Sequence, residues 1–105
     1  MPDYHGIDTD VLAKAVVAWT GYGSAAWPQQ KDRAIADLFS EQDSIQLLAA
    51  VKTLERDFFQ SQAYKTAANL SEMHDAAIAD FRHLHPELPD IIGKALGWCY
   101  SYDYK

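Results

Sequence analysis

The chain has 105 residues, 49% hydrophobic and 23% charged, a composition of folded rather than disordered chains. Nine Lys and Arg stand against fifteen Asp and Glu, a formal net charge of −6. Those figures exclude a doubly wound cofactor domain with a partner domain, and they predict one helical domain over 1–105 whose core needs neither metal nor disulfide. The cations Lys14, Lys31, Arg33, Lys52, Arg56, Lys65, Arg82, Lys94 and Lys105 are scattered singly. Phosphate backbones and anionic membranes bind clustered cations, so neither is an expected partner. Cys99 is the lone cysteine and allows no intramolecular disulfide. No secretory pattern opens the sequence, and no apolar run reaches the ~20 residues of a membrane span, so a cytoplasmic protein is expected.

Leu12, Val16 and Trp19, spaced four and three, predict a first helix over about 9–20, capped by Asp8 or Thr9. Gly21 and Gly23 stop it, and Pro28 suits the first turn of a short helix at about 29–39 with Ile35, Leu38 and Phe39 inward. From Pro28 to Pro86 no Gly or Pro intervenes, which favours helix throughout. Ser40 to Ser44 is a polar break with cap candidates. Leu47, Val51, Leu54 and Phe58 then mark a third helix from about 44. Glu55 and Asp57 would sit badly at a helix C-terminus, where the macrodipole disfavours anions, so this helix is expected to run on to about 68.

Asn69 to Ser71 can end that helix and cap the next, at 71–84. Against that break, Ala63, Ala67, Leu70, His74, Ala77, Phe81 and Leu84 keep an uninterrupted four-three spacing, the stripe of one long helix. Pro89 opens a last helix over about 89–101, apolar around its circumference with Lys94 its one interior charge. Such a helix belongs in the middle of a bundle. Gly93 and Gly97, with Ser101 a turn further, make a groove for close helix approach. The expected fold is therefore all-α: a compact bundle of four to five helices with the apolar C-terminal helix at its centre. Asp8, Asp10, Glu41, Asp43, Glu72, Asp75, Glu87 and Asp90 fall at helix starts, which spreads much of the negative charge around the surface.

Chemistry-bearing patterns are sparse. His74 lies on the apolar stripe, where an imidazole needs hydrogen-bond partners. Asp80 and His83 are three apart, but a dinuclear centre in a helical bundle needs a second such pair, and none exists. No metal or cofactor is expected. Cys99 on an apolar helix reads as a small core residue. Neither a nucleophile elbow nor a phosphate loop is present, so no catalytic residue is assigned and an enzyme is not expected.

The aromatics remain. Tyr22 and Trp27 flank a glycine-containing loop, and Trp98, Tyr100, Tyr102 and Tyr104 crowd the C-terminus, where they either complete the core or face a partner. The leading expectation is a non-enzymatic protein–protein interaction module, a small acidic domain of immunity or inhibitor type. It would bind a basic protein through Tyr22, Trp27, Tyr100, Tyr102 and Tyr104. Two alternatives stand beside it: a small-ligand or metal-binding bundle centred on His74 with Asp80 and His83, and a self-associating structural domain that forms a homodimer.

Overall fold

The structure, a computed structural model, describes residues 6–103. It is all-α: five helices of seven residues or more and one short helical turn, with no strand among the described residues. Helix α1, Thr9–Thr20, begins where the Asp8 carboxylate accepts the amides of Asp10 and Val11, at 2.8 and 3.2 Å. It ends at Gly21, whose φ of 79° is left-handed and whose N–H returns to the Val17 carbonyl. Both ends lie where the sequence places them.

Helix α2, Asp32–Leu38, starts later than expected. Pro28 lies before it, in a loop that the Gln29 and Lys31 amides tie to the Thr20 and Trp19 carbonyls. Of its three expected inward residues, Ile35 is fully buried, Phe39 half-buried and Leu38 62% exposed. The helix stops at Leu38 and the backbone extends at Phe39, so Phe39 turns inward and Leu38 is left outside.

Helix α3, Glu41–Phe58, is capped by the Ser40 hydroxyl, which accepts the Asp43 amide. It opens before 44 and closes ten residues short of the expected 68. The macrodipole argument fails here because both anions find partners from elsewhere in the chain. Asp57 Oδ2 lies 3.0 Å from His85 Nε2, and Glu55 Oε2 accepts from Gln30 Nε2 at 2.7 Å. A turn leads to α4, Ala63–Thr66, and then to α5, Leu70–Leu84, capped by Asn69. The break between α4 and α5 resets the helical phase. The inward line of α5 is Met73, Ala77 and Phe81; Leu70 and Leu84 are exposed and His74 moves to the edge.

Helix α6, Asp90–Asp103, is the central one, packed against α5, α1 and α3. Ile92, Ala95, Leu96, Cys99 and Tyr100 are fully buried. The α5 helix crosses it over the glycines: a Cβ on Gly97 would stand 3.0 Å from both Ile78 Cγ1 and His74 Nε2. At Gly93 the nearest atom would be Ile78 Cγ2 at 3.6 Å. The helices therefore touch closely where the glycine spacing suggests. Among the described residues no helix is long and apolar enough to cross a membrane.

Candidate functional site

Two surfaces gather the residues of interest. The first is built by the loop after α1 and the last turn of α6. Gly21 starts the loop, and its carbonyl accepts the Ser24 and Ala25 amides. A Cβ at Gly21 would collide with Ala25 Cβ at 2.8 Å, so the turn needs glycine on both steric and conformational grounds. At the other end Gln30 has a φ of 50°, uncommon for a residue with a side chain. The amides on either side of it are bonded to α1, and its own side chain reaches Glu55. The loop is thus pinned at both ends.

Between the pins Trp27 is 57% exposed. Tyr22 is half-buried, meeting the Trp98 ring edge-on with centroids 5.7 Å apart. Tyr102, in the last turn of α6, is 46% exposed. Tyr100 must be withdrawn from this surface. It is fully buried, its hydroxyl donating to the Ser61 carbonyl at 3.0 Å and accepting the Tyr64 amide at 3.2 Å. Its ring packs against Phe58 and Phe59. Two residues along a helix is a rotation of about 200°, so neighbouring tyrosines of this pair face opposite ways. Tyr104 lies outside the described residues.

Three carboxylates are coupled to the same loop and helix: Asp32, Glu55 and Asp103. Asp32 accepts the indole N–H of buried Trp19 at 2.9 Å and the Lys52 ammonium at 3.1 Å. These two interactions, the indole bond first, hold its carboxyl below the usual aspartate range. Glu55 is shifted the other way. Partial burial raises it, the Asp103 and Asp32 charges add to the rise, and Lys52 opposes it. Glu55 and Asp103 are not among the helix-start acids. The sequence did carry a signal for Glu55, since its poor fit to a helix end called for a partner elsewhere. Cys99 lies nearby, its thiol pushed up to about 12 by burial and by the Glu55 and Asp103 charges, which leaves it no thiolate for nucleophilic chemistry near neutrality.

The second surface is an open groove of about 750 Å³ along α5 and α6. His74, Asp75, Arg82, His83 and Lys94 line it, with Ile78 and Ala79 among its apolar residues. Asp80 does not join them. Its Oδ2 accepts the Ser61 hydroxyl at 2.6 Å, and Ser61 Oγ in turn accepts the Ala63 amide at the start of α4. The expected trio of His74, Asp80 and His83 is therefore split, and no three His, Cys, Asp or Glu side chains converge as metal ligands among the described residues. On a helix, Asp80 projects to the side away from Asp75, Ala79 and Arg82, which follow the groove.

His85, which with Arg82 and His83 suits the negative pole of the α5 dipole by sequence, has a further role in the structure. It is buried against Phe81, ring centroids 5.0 Å apart, and its contact with Asp57 ties the end of α5 to the end of α3. The misplaced anion at Asp57 was the available clue.

No protein-family model, curated protein or solved structure matches this chain.

Proposed function

We propose that this chain is a non-enzymatic binding module of the inhibitor or immunity type, and that its pinned loop and the last turn of α6 engage a basic protein. The observation that carries the reading is the exposure of Trp27 and Tyr102, together with a carboxylate, Glu55, that the charges of Asp103 and Asp32 repel. Trp27 lies three residues before Gln30, which bonds to Glu55, and Tyr102 adjoins Asp103, whose charge raises Glu55. Trp and Tyr supply the large contact areas on which interface energies concentrate. A partner's Lys or Arg placed among Asp32, Glu55 and Asp103 would relieve their repulsion, which makes a cationic partner the favoured one. The bonds at both ends of the loop reduce the ordering that binding must impose.

Affinity capture from the native host at moderate salt tests this. A basic protein should be retained, and Trp27→Ala and Tyr102→Ala should each weaken its binding about thirtyfold, the size of a hot-spot truncation. Raising the salt should weaken capture further. Failure to retain a basic protein, or retention that both variants leave unchanged, overturns the proposal.

A further inference from the structure

We propose that the groove between α2 and α3 is the contact face of a homodimer, in which a second copy of this chain lies across it about a twofold axis. The inference does not rest on the protein-binding surface, with which this groove shares only Asp32.

Contacts at both ends show that the two helices run antiparallel. At one end Asp32 Oδ2 accepts from the Lys52 ammonium at 3.1 Å. At the other the Ser44 hydroxyl donates towards the Phe39 and Ile35 carbonyls, at 3.3 and 3.4 Å. On α3, Glu41, Ile45, Leu48 and Lys52 are spaced four, three and four, so they share one face, and Arg33 and Ala36 of α2 line the same groove. Ile45 is 69% exposed there, with Ala36 exposed and Leu48 half-buried. These apolar groups surround one groove of about 510 Å³ instead of lying scattered, which is the pattern of a contact surface.

The charges select a second copy as the occupant. Arg33 stands at the Lys52 end, next to Asp32, and Glu41 opens α3 at the other end. Neither has an ion-pair partner among the described residues. Asp32 and Lys52 neutralise each other, and Arg33 balances Glu41, so this face carries no net charge in a chain of −6. It therefore does not repel its own copy. A twofold axis through the middle of the groove, between Ile45 and Leu48, lays the Arg33 end of each copy over the Glu41 end of the other. The same pair then forms twice, as an isologous contact requires. The opposite orientation would set Arg33 on Arg33 and Glu41 on Glu41, so the charges also fix direction. Glu41 and Lys52 lie about 16 Å apart along α3, which places both ion pairs at the rim of a central apolar contact.

Sedimentation velocity of the full chain, from micromolar to millimolar concentration, tests the assignment. A reversible monomer–dimer equilibrium is expected, and Ile45→Glu should weaken it about tenfold or more. Arg33→Glu sets two acids against each other across the axis, and Glu41→Arg sets two bases, so each variant alone should also dimerise about tenfold more weakly. Mixed in equal amounts, the two variants should recover dimerisation close to that of wild type, because both cross-pairs are then opposite in charge. A change of fold in either variant could not produce that recovery. All three positions are exposed, and circular dichroism checks that the helices persist. A monomer at every concentration, a dimer that Ile45→Glu leaves unchanged, or a mixture no stronger than its parts overturns the assignment; the first result would give this face to a different protein. Trp27→Ala should leave self-association unaltered, so the fate of this face and that of the protein-binding surface are read separately.

Discussion

Tyr100 illustrates how little a residue type reveals before its surroundings are known. Its ring fills the core between α3 and α6, while its hydroxyl closes two backbone bonds in the turn from α3 to α4. Tyr100→Phe keeps the ring but leaves the Tyr64 amide and the Ser61 carbonyl each without this bond. A loss of about 1–3 kcal/mol is expected in urea unfolding. Asp32 and Glu55 give opposite pH dependences. Asp32, with its folded pKa depressed, adds stability above the ordinary aspartate value and loses it as pH falls through the folded value. Asp32 is half-exposed and its ion pair screened by water, so Asp32→Asn should cost less than about 1 kcal/mol at neutral pH and nothing once the wild-type carboxyl is protonated. Glu55, with its folded pKa raised, behaves in reverse: the folded state is favoured below the ordinary glutamate value, and that advantage fades as pH climbs through the raised one. Glu55→Gln keeps an acceptor for Gln30 and should be more stable than wild type above that window and no different below it. Urea midpoints measured across about pH 3 to 7 check both signs.

At the level of the helices, local chemistry was readable wherever the deciding partners lie within a few residues. Asp8, Ser40, Asn69 and Gly21 end or begin helices through bonds to their near neighbours, and each was visible as a cap or stop candidate. The boundaries that went astray depend on distant groups. Glu55 and Asp57 tolerate the end of α3 because Gln30 and His85 reach them from residues 25 and 28 positions away. The same limit applies to the candidate residues: Trp27 and Tyr102 are exposed as a partner surface requires, while burial of Tyr100 and diversion of Asp80 to Ser61 depend on tertiary contacts that no spacing encodes. The glycine face of α6 was legible because a small residue every fourth position has a steric meaning of its own. Gly97→Ala tests it. The added methyl meets His74 and Ile78 at 3.0 Å, and an overpacking cost of about 1–3 kcal/mol should exceed the helix-propensity gain of about 1 kcal/mol. Lower thermal stability together with a displaced His74 resonance is the expected outcome; unchanged stability would show that α5 moves aside freely.

For the whole molecule, the apolar C-terminal helix sets the architecture, since α5, α1 and α3 all pack on α6. Its extents of 43 × 31 × 17 Å describe a slab, thin enough that a helix buried in the middle still presents its ends to solvent. That is why one helix can supply both core residues and Tyr102. Substitutions should divide accordingly. Phe58→Ala, deep in the aromatic cluster with Phe81 and Tyr100, should cost about 3–5 kcal/mol, whereas Trp27→Ala should stay within about 0.5 kcal/mol of wild type in the same unfolding measurement. The three indoles are graded in depth: Trp19 is buried, Trp98 half-covered, and Trp27 out in water. The chain thus carries its own optical gauge. Its red-edge emission and its collisional quenching by acrylamide come mainly from a single ring on the loop, and docking of another protein there would shift that light towards the blue without any dye attached.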